Sequence, residues 1–422
     1  MSAAPAQRSS PIAFWPALGA IVAACVLVRV VHTLAEAPWP PPGLDDQFFF
    51  SALPKLLADG HGFVNPFKEV FDHVTVPTAE HPPFYSVVLA AVAKLGGTSP
   101  DVQRLTGTVF GAGSVLLIGI LGRRLAGDLA GLCAAALAAV YPILIAADGA
   151  LMSESLYGVL VVGTVLLAYL TMDSPAVGRA LALGALGALA ALTRGEALVL
   201  LPLLLLPLLR SAQGRRAAAL AAVAFVVVLA PWTARNWIVF DQPVVIANNS
   251  GSAVAGANCD ATFYDSDFLG GWQPDCIVEH PGNEAEDLSE SRRDGFRYAG
   301  DHLGRLPVVL AVRFGRVWSL YDPFQVPEGR SPRVQKLGVI CFFLLVPLGI
   351  YGLVLLRRRR VPVWPLVAPF VVVSISALTT YGNVRFRQPA DLTLVVLAGV
   401  GLAALVGRRR PGAAPARPAV PA

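Results

Sequence analysis

Charged residues are scarce in this sequence: Asp, Glu, Lys and Arg make up 14% of its 422 residues, whereas hydrophobic residues make up 55%. A soluble domain of this size carries about a quarter charged residues. The shortage therefore excludes a soluble globular protein. Apolar runs near the ~20-residue length that crosses a bilayer recur along the chain. The sequence predicts an all-α polytopic membrane protein.

Two further absences bear on the function. Nothing resembles a cleaved signal peptide, because the first apolar run, residues 14–34, is too long for one and should remain as a helix. No tight metal-ligand motif such as His-Glu-x-x-His occurs, so no cofactor is firmly implied and a divalent metal stays open.

The net charge of +5 comes with arginines scattered at helix ends, which argues against a nucleic-acid partner.

Cysteine is also rare, with five residues in the chain. Cys25, Cys133 and Cys341 lie inside apolar runs, where they are expected to be inert packing residues. Cys259 and Cys276 share one polar loop and can form a disulfide bond if that loop faces an oxidising compartment. The alternative is a pair of unrelated free thiols.

Ten apolar segments are predicted to cross the membrane. They span residues 14–34, 102–122, 129–147, 154–172, 177–193, 196–209, 217–234, 337–356, 362–380 and 389–407. Counts of eleven to thirteen stay open, and segment 196–209 is short for a crossing.

Basic residues are unevenly distributed between these segments. Fifteen of the 33 basic residues, but only two of the 28 acidic ones, fall in short turns and tails on one side. The positive-inside rule assigns that side, with both termini, to the cytoplasm. Arg385 and Arg387 are the exceptions. All six histidines and nearly all other acids fall at or beyond the outer boundary, so the polar chemistry is predicted on the extracytoplasmic face.

Two long segments, 35–101 and 235–336, are predicted to lie outside. Residues 84–94 have the length of an interfacial or re-entrant helix. Residues 306–320 are amphipathic and suit the membrane surface, while the Gly/Asn/Asp/Ser-rich stretch 247–295 is predicted to be irregular. We therefore expect one transmembrane domain, residues 1–410, with these loops and a disordered tail at 411–422.

An acidic pair, Asp45-Asp46, follows a proline-rich turn just past the first helix. Adjacent carboxylates repel, so one of them can have a raised pKa, which suits a general base that takes a proton from a hydroxyl nucleophile. The alternative is an N-cap pair for a helix through residues 48–57.

The next outer element, Glu80-His81-Pro82-Pro83-Phe84-Tyr85, brings a carboxylate, an imidazole and a phenol to the start of the interfacial helix.

Further acids and arginines fall in the other outer turns. They are Asp148, Glu154, Arg194, Arg235, Arg385 and Arg387. If these turns converge, they form a site for an anionic lipid headgroup. For any single arginine the alternative is snorkelling to the interface.

The order of these residues resembles the membrane-embedded GT-C glycosyltransferases, in particular the protein-mannosyltransferase and aminoarabinose-transferase group (glycosyltransferase family 39 and relatives). The resemblance covers most of the chain to about residue 240 and returns at Tyr381 to Pro389. It rests on Asp45-Asp46, Ala58-Asp-Gly-His-Gly-Phe63, His81-Pro-Pro-Phe-Tyr85, Arg104, Gly122-Arg-Arg-Leu-Ala-Gly127, Met152-Ser-Glu154 and Leu192-Thr-Arg-Gly195.

The resemblance implies a GT-C-like helix bundle with juxtamembrane helices in its outer loops, and an inverting enzyme with a polyprenyl-phosphate sugar as donor. It makes Asp45 the base, with Asp46 where the family often has Glu, so either of the two can act. Lysine is common where His81 stands. Glu80, His81, Tyr85, Arg235, Arg385 and Arg387 are then expected at the donor, with Asp148, Glu154 and Arg194 in support. The soluble carbohydrate-binding module of eukaryotic protein mannosyltransferases is absent.

Three functions are compatible with these features of the sequence. The first is a glycosyltransferase (hexosyl- or pentosyltransferase) of a bacterial plasma membrane, which transfers sugar to an envelope lipid, glycan or protein. The second is a transporter or flippase of lipid-linked sugars, which should place charges at mid-membrane depth. The third is a non-catalytic scaffold. The sequence favours the glycosyltransferase, and the sugar and the acceptor stay open.

Overall fold

The computed structural model describes residues 13–35, 46–326 and 331–408, and these residues are overwhelmingly helical. Within these ranges the extended pairing is limited to one isolated bridge between Val64 and Pro77. The predicted all-α fold is confirmed. The predicted base Asp45, the termini and the 411–422 tail lie outside the described residues, and the single-domain boundary at residue 410 stays a prediction.

Seventeen α-helices form in the described part of the chain. In chain order they are α1 Phe14–Ala35, α2 Asp46–Asp59, α3 Pro83–Lys94, α4 Pro100–Ala126, α5 Asp128–Val140, α6 Pro142–Gly149, α7 Glu154–Asp173, α8 Val177–Ala191, α9 Ala197–Leu205, α10 Ala212–Phe240, α11 Ser250–Ala257, α12 Asp260–Tyr264, α13 Glu284–Asp301, α14 Leu306–Val317, α15 Pro332–Arg358, α16 Trp364–Thr379 and α17 Gln388–Arg408.

All ten predicted membrane segments are helical. Among the described residues, six helices are long and apolar enough to cross a membrane, namely α1, α4, α7, α10, α15 and the apolar segment Val384–Gly407 that contains α17. The pair α5 and α6, bent by 58°, makes a seventh if it is one span. The other three segments form shorter apolar helices. The chain is an integral membrane protein, and the count of ten crossings stays a prediction.

Prolines account for two departures from the expected helices. The segment 129–147 was expected to be continuous, but it breaks at Tyr141, whose backbone is extended. Pro142 follows, and proline disfavours the helical conformation of the residue before it. In the short segment 196–209, the helix ends at Leu205 and continues as a 3₁₀ turn, Leu206–Arg210, that contains Pro207.

Helix α17 lies at the centre of the bundle and packs on α15, α5 and α4. Of its most apolar window, 72% is buried, against 22% for α1 at the periphery. Small side chains allow close packing of membrane helices, and α5 buries Ala130, Ala134, Ala135 and Ala138 completely. The bundle is therefore a tightly packed support for the polar loops at its end.

The outer loops contain more helix than the sequence predicted. Residues 247–295 form α11, α12 and the start of α13, so the expected irregular stretch is found only over residues 265–283, which hold one short 3₁₀ turn. The Asn283 side chain accepts hydrogen bonds from two backbone amides at the start of α13, and Glu286 completes the capping box. Polar capping residues thus start helices here rather than prevent them. The two helices predicted in the loops are found as α3 and α14.

Candidate functional site

The first residue of α2, Asp46, joins two cationic side chains from distant parts of the chain. Its Oδ2 accepts a 2.7 Å hydrogen bond from Nη2 of Arg385, and its Oδ1 lies 3.4 Å from Nε2 of His81. Burial alone would raise the pKa of Asp46, but His81 and Arg385 outweigh burial and hold that pKa well below its ordinary value. Asp46 is therefore ionised at neutral pH.

Arg385 extends this cluster to a second carboxylate. Its Nε donates to Oε1 of Glu154, the first residue of α7, while its Nη2 holds Asp46. Arg194 reaches the same Glu154 oxygen at 3.0 Å and binds Oε1 of Glu196 at 2.7 Å. Three carboxylates and two guanidinium groups thus alternate in one network that is buried at Glu154, and each arginine uses its forked donors to bridge two acids.

The turn that carries Arg385 is fixed from both sides. Asn383 accepts a 2.9 Å hydrogen bond from the Arg385 backbone N–H through its side chain. Gly382 donates its backbone N–H to the Gly270 carbonyl at 2.9 Å. A Cβ atom at Gly382 would come within 2.5 Å of the Arg313 carbonyl oxygen on α14, so only glycine fits this approach. The outer loop therefore positions Arg385 against Asp46.

His81 sits in an aromatic pocket beside Asp46. Its ring centroid lies 4.5 Å from that of Phe49 and 5.1 Å from that of Phe50, both on α2. Nδ2 of Asn249 approaches its Nδ1 at 3.4 Å. Burial alone would lower the pKa of His81, but the Asp46 carboxylate raises it above its ordinary value. His81 thus supplies a second cation beside Asp46.

Glu80 is a carboxylate of a different kind. Its backbone is held in place, because its N–H donates to Thr78 Oγ1 at 3.1 Å and its carbonyl accepts from the Asn249 N–H at 3.1 Å. Its carboxyl group makes no hydrogen bond or ion pair to any residue that the structure describes. Burial raises the pKa of Glu80 to about 7, and His81 opposes this rise. Glu80 can therefore exchange a proton near neutral pH.

Tyr85 lies within the first turn of α3 and is fully buried. Its ring packs edge-on against Phe50 at 5.0 Å. Its hydroxyl group finds no partner among the described side chains and backbone groups, and burial raises the pKa of Tyr85, so the phenol stays protonated. Tyr85 is therefore a buried donor close to the His81 pocket.

Arg235 was predicted at the donor, but the structure gives it other partners. Its guanidinium donates to the carbonyl oxygens of Thr78 at 2.9 Å and Phe63 at 3.0 Å. It also lies 5.0 Å from the Trp232 ring centroid. Arg235 thus ties the end of α10 to the loop that precedes Glu80, and it supports the site through that loop.

Arg387 was also predicted at the donor, and it lies apart from Asp46. Its side chain is completely buried, with Nε 3.1 Å from Asp391 on α17 and Nη1 2.7 Å from Ser319 Oγ. Its guanidinium carbon lies 3.7 Å from the Phe342 ring centroid. Only one residue separates Arg385 from Arg387, yet the 3₁₀ turn Val384–Arg387 directs them to different neighbours.

Asp148 was predicted as a supporting residue, and it pairs with a residue that sequence reasoning missed. Arg29 of α1 donates from Nε to Asp148 Oδ2 at 2.6 Å and from Nη1 to the Ala139 carbonyl at 2.9 Å. The available signal was Arg29 itself, since a lone charge inside an apolar membrane segment requires a partner. This pair connects α1 to α5 and α6 rather than to Asp46.

The two loop cysteines, Cys259 and Cys276, are joined in a disulfide bond with Cα atoms 6.1 Å apart. The loop that they close includes Gly270, which accepts the hydrogen bond from Gly382. It also includes Trp272, whose ring centroid lies 6.2 Å from that of Tyr381. The disulfide-closed loop is therefore packed on the turn that carries Arg385.

The described side chains offer no cluster of metal ligands. No group of three or more His, Cys, Asp or Glu residues within residues 13–35, 46–326 and 331–408 is arranged to hold one. The oxygens of Asp46 already face Arg385 and His81.

One family model matches part of this chain. Residues 80–234 match the family model described as dolichyl-phosphate-mannose-protein mannosyltransferase. This segment begins at Glu80 and contains Glu154 and Arg194. No curated protein matches the sequence.

Solved structures share the overall fold. The archaeal oligosaccharyltransferase AglB from Archaeoglobus fulgidus, in complex with an inhibitory peptide and a dolichol-phosphate, matches 93% of this chain with a TM-score of 0.58 and 15% identity. The apo form matches 95% with a TM-score of 0.57 and 14% identity. The chain spans about half of these proteins, 50% and 52% of their respective lengths. ArnT from Cupriavidus metallidurans, bound to undecaprenyl phosphate, aligns over 92% of this chain and 78% of its own, with 17% identity and a TM-score of 0.45. Residues 80–234 are thus similar to the dolichyl-phosphate-mannose-protein mannosyltransferase family, and the chain shares its fold with the Archaeoglobus fulgidus oligosaccharyltransferase structures.

Proposed function

We propose that this chain is an inverting glycosyltransferase that moves a sugar from a polyprenyl-phosphate donor to an acceptor on the extracytoplasmic side of the membrane. The observation that carries the proposal is the contact of Asp46 with both His81 and Arg385 in a GT-C-like fold. The dolichol-phosphate in the AglB complex supports a lipid-phosphate donor. The acceptor is an envelope lipid, glycan or protein, and the sugar is a hexose or a pentose.

The proposed reaction is a single displacement. A carboxylate takes the proton of the acceptor hydroxyl, whose oxygen then bonds to the anomeric carbon from the face opposite the phosphate. The anomeric carbon–oxygen bond breaks, and its electron pair leaves with the polyprenyl phosphate. This displacement inverts the anomeric configuration.

Cations near the leaving group stabilise the developing negative charge. Arg385 and His81 are the cations in contact with Asp46, so a phosphate held beside Asp46 would meet both of them. Arg194 is one carboxylate further away and pairs with Glu154 next to Arg385. The donor phosphate is therefore expected to compete with Asp46 for the Arg385 guanidinium.

The proton acceptor is proposed to be one of the acidic pair. Asp45 is the predicted base and lies outside the described residues. Asp46 is ionised, but its low pKa makes it a weak base and suits it to holding His81 and Arg385. We therefore assign Asp45 as the base and Asp46 as the carboxylate that holds His81 and Arg385. This assignment fits both the ionised state and the weak basicity of Asp46.

The extracytoplasmic side is supported by two independent features. The basic turns fall on the opposite side of the predicted helices from Asp46, as the positive-inside rule expects. The loop beside Arg385 contains the Cys259–Cys276 disulfide, and disulfides persist in oxidising compartments. Both features support a site in the periplasm or its equivalent.

The test uses the purified full-length chain with a panel of polyprenyl-phosphate sugars, and mass spectrometry follows release of the polyprenyl phosphate. Loss of a general base lowers turnover by about 10²- to 10⁴-fold. We expect a loss of this size in Asp45→Asn and a comparable one in Asp46→Asn. Wild-type turnover in both variants would contradict the proposed chemistry. Sealed vesicles distinguish a transporter, which would move the labelled lipid without changing it.

A further inference from the structure

Two cavities meet at Lys55, on the side of α2 away from His81. The first has a volume of about 420 Å³ and is lined by Lys55, Ala58, Asp59, Ala93, Lys94 and Thr98. The second, of about 390 Å³, has Lys55 in its wall together with apolar side chains that include Phe48, Ala52, Leu56 and Val70. We call the two cavities together the Lys55 groove.

The Lys55 groove is separate from the Asp46 site. Helices α2 and α3 pack side by side, with Phe50 against Tyr85 near their N-terminal ends and the first cavity between their C-terminal ends. Lys55 follows Asp46 by nine residues, which is about 14 Å along a helix axis. A molecule in the groove would therefore lie beside the proposed reaction site and not within it.

The positive charge of the two lysines in the groove is only partly neutralised. Lys55 is half-buried and makes no hydrogen bond or ion pair to any described residue. Burial lowers the pKa of Lys55. Lys94 is exposed in the last turn of α3, where the helix dipole alone favours a cation. Lys55 lies outside the last turn of α2, so the helix dipole does not account for its position. Against these two lysines stands one carboxylate, Asp59, so the first cavity favours an anion.

Apart from Ser51 and Thr98, the remaining walls of the groove are apolar. The Phe48 ring stacks on Phe71 with centroids 5.1 Å apart. Val70 in the wall, Phe71 against Phe48, and Leu95 next to Lys94 in sequence have 42%, 50% and 90% of their surface exposed. Apolar side chains exposed beside a membrane domain suit contact with the lipid interface rather than with water. The groove therefore combines a cationic end with an apolar end, which is the complement of an anionic amphiphile.

We propose that the Lys55 groove binds an anionic membrane phospholipid, with Lys55 and Lys94 at its phosphate and the Phe48 and Val70 side against its acyl chains. This inference is independent of the proposed sugar transfer. It assigns the juxtamembrane helices α2 and α3 a second task, which is to anchor the outer loop to a lipid headgroup.

The test is native mass spectrometry of the full chain in detergent with phosphatidylglycerol and phosphatidylcholine of matched acyl chains. We expect preferential retention of phosphatidylglycerol. Each lysine near an anionic lipid surface contributes about a fivefold preference, so Lys55→Ala with Lys94→Ala should lower the preference by roughly 20-fold or more. Lys68→Ala, an exposed lysine in the same outer loop and outside both cavities, is the matched control and should leave the preference unchanged.

Two further measurements separate the proposal from loss of folding and from binding of free phosphate. Lys55→Arg with Lys94→Arg should retain the preference for phosphatidylglycerol, and thermal unfolding of each variant checks that it is folded. Glycerol phosphate at the same concentration should not displace the lipid. An unchanged preference in the folded double alanine variant, or equal competition by glycerol phosphate, would overturn the lipid site.

Discussion

Arg385 and Asp46 lie 339 residues apart in the sequence, yet their side chains form a 2.7 Å ion pair. The contact joins the start of the first loop helix to the last outer turn. Arg385 also donates to Glu154, so three separate outer segments meet at one guanidinium. The cluster therefore depends on the whole bundle, and no single segment could form it alone.

The first prediction concerns this guanidinium. Arg385→Ala leaves Asp46 and the buried Glu154 without their shared cation, and removal of one preorganised charge-stabilising donor lowers turnover by about 10²- to 10³-fold. Arg385→Lys should restore part of the activity, because an ammonium group keeps the charge but cannot bridge two carboxylates as a planar fork does. The measurement is the rate of polyprenyl phosphate release with the donor that the wild type uses best.

The control for this prediction is Arg297→Ala. Arg297 is exposed and pairs with Asp294 within α13, and exposed ion pairs contribute little to stability. This variant should keep full turnover. Full turnover in Arg385→Ala as well would remove Arg385 from the proposed chemistry.

Sequence patterns predicted the bundle better than they predicted side-chain partners. Apolar length located a helix in each predicted segment, and six of these helices are long and apolar enough to cross a membrane, or seven with the bent pair α5 and α6. The identity of an arginine's partner depends on how helices pack, so Arg235 and Arg387 could not be separated from Arg385 by sequence. The structure directs the first to backbone carbonyls and the second to Asp391.

The second prediction is a pH-dependent stability that comes from Glu80. Burial raises the pKa of its carboxyl from 4.5 to about 7, so the folded chain binds this proton more tightly than the unfolded chain between those values. The free energy of unfolding therefore falls as the pH rises from 4.5 to 7, because burial disfavours the ionised Glu80 carboxylate. The full loss of stability is present above pH 7. Glu80→Gln removes this cost.

The measurement is the melting temperature of Glu80→Gln and of the wild type across this pH window. The difference should be smallest near pH 4.5 and should grow in favour of the variant up to about pH 7. Asp72→Asn, an exposed carboxylate in the same loop, is the control. A difference that does not change with pH would show that the Glu80 proton is not held by the fold.

The third prediction is that Cys259 and Cys276 remain linked in membrane-extracted protein. Non-reducing digestion and mass spectrometry should give one linked peptide pair, and two free thiols would contradict it. The bond closes a loop with a sequence separation of 17, and a loop of that size stabilises a fold by about 3 kcal/mol. The double variant Cys259→Ser with Cys276→Ser should therefore melt earlier, while Cys133→Ser should not.

The fourth prediction tests the buried pair that the sequence did not reveal. A Cβ atom at Gly111 of α4 would overlap the Asp148 carboxylate and lie 2.8 Å from Nε of Arg29. Gly111→Ala should therefore separate the pair, and an uncompensated buried charge lowers the free energy of unfolding by about 3 kcal/mol or more. Thermal unfolding in detergent measures this loss.

Gly19→Ala on α1 is the matched control, because a Cβ atom at Gly19 meets nothing within 4 Å. Alanine in place of glycine inside a helix adds about 0.5–1 kcal/mol of stability, so this variant should melt at or above the wild-type temperature. Arg29 and Asp148 lie on different helices, so their separation should also loosen α1 from α5 and α6. If Gly111→Ala and Gly19→Ala melt alike, the Arg29–Asp148 contact does not hold these helices together.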